Sequence, residues 1–179
     1  SLTGLATSPY TVSGSAWSTT TDTDDTWTGS FTFADDGEEA MGTYELAGFA
    51  DAAGNTMATD ATNTVTVDTA NPGATDAPTA AAGPYINAAE ESAGFDVVVT
   101  LGTSGAVAGD TLELLLGGGP FPTPLTRVLD AADIAAGSYS FTVASGQLGA
   151  DGAKSVTARV SDVAGNVGAE SAPLSLTLD

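Results

Sequence analysis

Residues 51–68 read DAAGNTMATDATNTVTVD, and residues 162–179 read DVAGNVGAESAPLSLTLD. Both open on Asp-x-Ala-Gly-Asn, run into an alternating apolar stretch and close on Asp. Asp51 and Asp162 are 111 residues apart, and so are Asp68 and Asp179. No gap is needed between these ends: Gly54 and Asn55 fall on Gly165 and Asn166, and Val65 and Val67 fall on Leu176 and Leu178. A turn shared together with its downstream strand marks a repeated domain. The period exceeds the roughly 20 to 50 residues of a solenoid unit and suits an independent β-sandwich of about 100 residues. Residues 70–179 then make one whole unit. Residues 1–69 make a shorter one, either a small variant or a domain truncated at its N-terminus.

Charge narrows the function. The chain carries 3 Lys and Arg against 23 Asp and Glu, with no His, for a net charge of -20. Such a field repels nucleic-acid phosphates and anionic membrane surfaces and draws in multivalent cations. Residues 1–69 hold no positive side chain at all, so their carboxylates are either solvated or neutralised by metal. Without Cys there are no disulfides, thiolate nucleophiles or Cys-based zinc sites. Without His as well, the common catalytic bases and zinc triads are missing. Paired carboxylates can hydrolyse glycosides, but 23 acids make a chance pair inevitable, and the expectation is a protein that is not an enzyme. No apolar run approaches the roughly 20 residues that span a bilayer. No signal peptide stands at Ser1, and the chain reads as a piece of something longer.

Period-two alternation predicts strands over 10–14, 27–33 (Trp27, Phe31 and Phe33 on one face), 43–50 and 63–68, with a bulge at Gly48 before Phe49. ADDGEEAMG at 34–42 reads as a turn. Prolines 72, 78 and 84 mark 69–85 as an extended linker and domain opening, and 86–94 carries one helical turn. Further strands are predicted over 95–101, 110–116 (Leu112, Leu114 and Leu116 inward), near 125–129 and 139–143, over 154–162 (Val156, Ala158 and Val160 inward) and at the C-terminus. GGGPFPTP at 117–124 lacks the strand-to-helix setting of a phosphate loop and reads as a turn or exposed loop. The strand count suits an all-β Greek-key sandwich.

Calcium is the chemistry left over. It takes six to eight oxygens, which Asp, Glu, Asn and backbone carbonyls supply. Where one sandwich hands over to the next, turn carboxylates of both can converge. The residues expected there are Asp51 and Asp68 from the first unit, with Asp76, Asn87, Glu90 and Glu91 from the second. Asp162 and Asp179 would offer the same half-site to a domain beyond. The plainer alternative is that these Asp and Asn side chains cap their own turns, with Gly54 and Gly165 supplying positive φ. Asp22, Asp24 and Asp25 form either a cation-binding or a solvated loop, and Asp35, Asp36, Glu38 and Glu39 read as a hairpin tip. Trp17 and Trp27 could stack a sugar, and the first unit or the GGGPFPTP loop could be the recognition surface of a ligand-binding module for carbohydrate or protein instead.

The order of Asp51, Gly54, Asn55, Val67, Asp68, Thr69 and Pro72 resembles the tandem bacterial immunoglobulin-like domains of giant repeat adhesins. These are the RTX or biofilm-associated adhesins that Gram-negative bacteria export by type I secretion. GPYINAAE at 83–90, VVVTLGTSGAVAGDTLEL at 97–114 and DVAGN at 162–166 extend the likeness across the second unit. The resemblance implies two immunoglobulin-like sandwiches in tandem and an extracellular place on the bacterial cell surface. It also implies Ca2+ as the cofactor, bound at junctions that stiffen a long rod. The partners implied are neighbouring domains of the same chain, with no nucleic acid, no membrane insertion and no second copy. The first unit departs from the family in lacking an INAAE-like opening, and residues 1–26 match nothing in it. The regular threonine arrays of an ice-binding face are not expected here.

Overall fold

The computed structural model describes residues 2–3, 10–14, 29–33, 37–47, 54–56 and 58–179, with backbone alone for 2–3, 10–14 and 29–31. The chain separates into two units, Ser1–Ala70 and Asn71–Asp179.

In the first unit, β1 (Leu2–Thr3), β4 (Glu39–Leu46) and β5 (Asp60–Asp68) form one antiparallel sheet with β4 in the middle. The strands β2 (Tyr10–Gly14) and β3 (Gly29–Phe33) pair with each other. Alternation sets the faces of β5: Thr62, Thr64 and Thr66 are exposed, while Val65 and Val67 turn the other way and Val67 is buried. Part of the segment expected as a turn is strand. Glu39, Ala40, Met41 and Gly42 pair with Asp68, Val67, Thr66 and Val65, and Glu38 extends the match by exchanging hydrogen bonds with Thr69. The register slips between Tyr44 and Leu46. The bulge expected at Gly48, and the strand positions of Trp27 and Phe49, lie outside the described residues.

The second unit holds eight strands and two short helices. In chain order these are β6 (Thr79–Ala80), β7 (Tyr85–Ile86), α1 (Ala88–Ala93), β8 (Phe95–Thr100), β9 (Thr111–Leu116), β10 (Gly119–Val128), α2 (Ala131–Ala136), β11 (Ser138–Val143), β12 (Gly152–Ser161) and β13 (Leu174–Leu178). One sheet runs β10-β9-β12-β13-β7 and the other β11-β8-β6. All pairings are antiparallel except β7 with β13. The opening stretch therefore serves both sheets, first antiparallel to β8 and then parallel to the last strand. Together with the pairing of β9 and β12, which are neighbours in the sheet but not in the chain, this is the arrangement of an immunoglobulin-like Greek-key sandwich.

The core lies between the sheets, where Val97 and Val99, Leu112 and Leu114, Val156, Ala158 and Val160, and Leu176 meet Ile86, Phe121 and Phe141. The expected inward residues are all there except Leu116, which is half-buried. Leu115 is buried on the opposite face beside its register partner Thr157, whose hydroxyl donates to Glu170 Oε2 at 2.8 Å.

Three segments differ from the sequence expectations. Most of GGGPFPTP is strand: after a turn at Gly117 and Gly118, β10 runs along the sheet edge, with its register broken between Pro120 and Leu125. Proline survives there because an edge strand needs donors on one side only and a bulge needs fewer still. A second helix, α2, stands where a strand-to-strand loop was expected. Asp130 caps it, accepting the Ala132 and Asp133 amides while Asp133 returns a bond to the Asp130 amide, and Gly137 ends it at φ 65°. The Pro-bearing stretch from residue 72 is built into the sandwich. Gly73 donates to Ser104 O, Asp76 donates to Thr100 O, and both Thr75 and Pro78 are buried.

Candidate functional site

The strands of the second unit carry the expected ligand residues to opposite poles. At the proximal pole, where the chain arrives, Pro72 lies so close to Gly168 that a Cβ there would sit 2.6 Å from its carbonyl oxygen. The loops at 101–110 and 162–168 gather at the same place, since Gly73 bonds Ser104 and Gly168 bonds Val160 O. Asp76 and Asp162 belong to this pole. At the distal pole, where the chain leaves, Asp179 donates its amide to Ile86 O at 3.0 Å, one residue before Asn87. Strand β12 joins the two poles, with Gly152 opposite Leu178 at one end and Ser161 opposite Thr111 at the other.

Asn87 and Glu90 therefore stand with Asp179, away from Asp76. The sequence grouped them with Asp76 because all three follow the linker. The parallel pairing of β7 with β13 places them instead beside the last residue of the chain.

The hydrogen bonds separate residues that hold the backbone from those that are open. Asn87 Oδ1 accepts the Ala89 and Glu90 amides at 2.9 and 3.1 Å, and Glu90 Oε2 accepts the Asn87 amide at 3.0 Å, a capping box. Glu91 fastens α1 to the turn after β11, accepting the Gly146 amide and the Ser145 hydroxyl. Asp162 Oδ1 accepts the Gly165 and Asn166 amides at 2.8 and 2.9 Å, and Oδ2 accepts Asn166 Nδ2 at 2.8 Å. Partial burial works against its ionisation, but the bonds from Asn166 and from the turn amides outweigh burial and hold the carboxyl below the usual aspartate range. The Asp-x-Ala-Gly-Asn turn is thus organised by its own acid, with Gly165 at φ 97°. Gly54, the matching glycine of the first unit, stands at φ 87°. Asp51 lies outside the described residues.

Asp76 and Asp179 make no such side-chain bonds within the described residues, and both are exposed. The Asp76 carboxylate rests on Gly102, where a Cβ would come within 2.6 Å of Oδ1. In the first unit, Asp68 Oδ1 accepts the Ala70 amide at 3.1 Å. Among the described residues, no three acids converge on a common point, so the expected ligands of the second unit do not form a multi-carboxylate cage. Ligation at each would draw on the second lone pair of a carboxylate oxygen, on carbonyls and on water.

All three cations of the chain are already engaged. Arg127 bridges Asp130 and Asp133 at 2.7 and 2.8 Å and lies over the Tyr139 ring. Arg159 holds Glu113 through two nitrogens at 2.8 and 2.9 Å, and Lys154 donates to the Ala150 carbonyl. Asp133 is held below the usual range, first by the Asp130 amide and then by Arg127. No helix is long and apolar enough to cross a membrane among the described residues. Sequence reasoning missed the α2 cap and the buried acid Asp110.

No protein-family model and no curated protein matches the chain. Among solved structures, it is similar to a bacterial immunoglobulin-like domain from the M. primoryensis ice-binding adhesin. The identity is 29%, covering 62% of this chain and all of that one, with a TM-score of 0.41. A structure concerned with host cell surface retention of a 1.5-MDa bacterial ice-binding adhesin is 25% identical over 87% of this chain and 50% of that chain, with a TM-score of 0.42. A Ca2+-stabilised adhesin of an Antarctic bacterium is 23% identical over 96% of this chain and 40% of that chain, with a TM-score of 0.43. The chain thus spans half or less of the last two.

Proposed function

We propose that this chain is a structural extender segment of a large bacterial surface adhesin of the RTX or biofilm-associated kind. In this reading it is extracellular and monomeric, its first unit is a second immunoglobulin-like sandwich, and calcium at the ends of its domains stiffens it. The observation that carries the reading is the separation of arrival and departure in the second unit. The chain comes in beside Gly168 and leaves beside Ile86, with the ten residues of β12 between, about 30 Å of strand. A sandwich threaded from pole to pole passes length along a chain, whereas one whose termini meet does not.

Metal supplies what the composition lacks. With every cation engaged and a net charge of -20, carboxylates at successive domain ends repel one another. A divalent ion shared by Asp68, Asp76 and Asp179-type ends would turn that repulsion into attraction, and binding to the ordered form alone adds stability by mass action. No step of this role needs a nucleophile or a general base, in keeping with the absence of His and Cys.

Small-angle X-ray scattering of the whole chain, with calcium and then with excess chelator, tests this. The calcium form is expected to be longer and better defined, and Asp68→Ala in calcium should scatter like the chelated wild type. Coincident profiles together with a flat calorimetric titration would sink the metal reading.

A further inference from the structure

The chain enters the second unit beside Gly168 and leaves it beside Ile86, so tension on the chain pulls Pro72 and Asp179 apart along the sandwich. Between entry and core the arriving segment joins two ladders. Antiparallel to β8, Gly73 donates to Ser104 O at 2.8 Å, Asp76 to Thr100 O at 3.1 Å and Ala81 to Asp96 O at 3.1 Å. The segment then turns, with Gly83 donating to Ala80 O at 3.1 Å, and becomes β7, parallel to β13. There Thr177 donates to Pro84 O at 2.8 Å and Asp179 to Ile86 O at 3.0 Å.

The two ladders stand differently to a load. Because β7 and β13 run the same way, a pull on the chain before β7 and a pull on the chain after β13 slide the two strands past each other. Bonds in a sliding pair are strained together, whereas bonds peeled from one end open one at a time. The pair is also the shortest bonded route between entry and exit: along the arriving segment to Ile86, across to β13 and out. A load handed to β8 passes into the other sheet and has to return through the core or the loops.

Slippage of β7 is opposed twice over. Ile86 is 1% exposed and belongs to the core cluster. Directly after it, α1 begins with the Asn87–Glu90 capping box and is fastened through Glu91 to the Gly146 amide and the Ser145 hydroxyl. Movement of β7 toward the proximal pole has to withdraw Ile86 from the core and drag α1 off that turn.

We propose that the β7–β13 pairing is the load-bearing lock of the second unit. Tension from pole to pole is carried in shear through the amides of Thr177 and Asp179, and the rest of the sandwich stays largely unloaded until that pair parts. The proposal deepens the extender reading and rests on it for the tension. The lock itself is a property of this one sandwich and needs no metal.

Single-molecule pulling of the full chain at constant load, from handles at its two ends, tests it. Unfolding of the second unit is recognised by the larger release of chain, that of residues 71–179 rather than 1–70. Two substitutions each delete one amide donor, one from either ladder. Thr177→Pro removes the bond to Pro84 O. Ala81→Pro removes the bond to Asp96 O, at the second position of the 80–83 turn, where proline is favoured. Thr177→Pro should speed second-unit unfolding under load about fivefold to tenfold, the worth of one hydrogen bond lost before the barrier, and Ala81→Pro should leave it within about twofold. Equal acceleration by both, or none by Thr177→Pro, overturns the lock. If Thr177→Pro does not fold, Asp179→Pro removes only the terminal donor of the pair and takes its place, with the same two outcomes. The ranking should be the same in calcium and in excess chelator, so the calcium reading can fail while the lock stands. A ranking that vanishes in chelator overturns a lock that needs no metal.

Discussion

The two units close on matching turn-and-strand sequences but differ in the charges that accompany them. In the second, 17 buried apolar residues form one cluster, and all three cations of the chain sit on or against its surface. In the first, Val67 is the buried hydrophobic among the described residues, and 11 acids share residues 1–70 with no Lys or Arg. Where apolar burial supplies the stability, carboxylates can be used locally, as caps and turn closures. Where counterions are missing, the same carboxylates load the fold with repulsion. The first unit should therefore respond to salt and divalent cations well beyond the second.

The largest expected effect probes the core. Phe121→Ala, at a side chain 2% exposed, should destabilise the second unit by about 3 to 5 kcal/mol. Both tryptophans, Trp17 and Trp27, lie in the first unit. Thermal melting followed by tryptophan emission should therefore stay put while the calorimetric transition of the second unit drops. Parallel movement of both signals would break the comparison.

A smaller and paired effect sharpens it. Gly165 and Gly54 stand at φ 97° and 87° with open space around a would-be Cβ, so alanine at either position costs backbone strain alone, about 1 to 2 kcal/mol. Equal losses for Gly165→Ala and Gly54→Ala, measured by denaturant unfolding, would show that the turn is used alike in both units. A loss confined to Gly165→Ala would show that the repeated sequence has stopped being a repeated structure.

The smallest effect concerns acid. The carboxyls of Asp162 and Asp133 are held below their ordinary range in the folded state. Their contribution is fully present above the unfolded aspartate value of about 3.9 and is lost as pH falls through the lower folded values. Asp162→Ala should lower stability at neutral pH by about 1 kcal/mol, as loss of a capping acid does, and flatten the acid limb of the second unit's stability curve. An acid limb unchanged by the substitution would remove Asp162 from that account.

Much of the second unit was legible in the sequence because its strands are amphipathic over their length. Val97 with Val99, Leu112 with Leu114, and Val156 with Ala158 and Val160 announce both strand and face. The segments misread were those in which a local rule is set aside by position in the sheet. Pro120, Pro122 and Pro124 argue against strand except at an edge. Helix α2 is too short for periodicity and shows only in its ends, Asp130 with Asp133 and then Gly137, a pattern that could have been found. The candidate site was legible by residue type and not by place. Nothing local to Asn87 reports that β7 will run parallel to β13 and bring it to Asp179.

In an extender segment, the edge strand β10 would bear on how a row of similar sandwiches avoids mispairing. A long protein of similar sandwiches keeps many near-identical strand edges at high local concentration while it folds, and each exposed edge is a template for pairing with the wrong neighbour. Along β10, prolines at 120, 122 and 124 withhold amide donors, and the Thr123 amide is occupied by the Gln147 side chain. The register break beside them bends the strand away from a straight template. The stretch that most resembles a loop is thus a guard against aggregation, and its worth would be read in refolding yield more than in melting temperature.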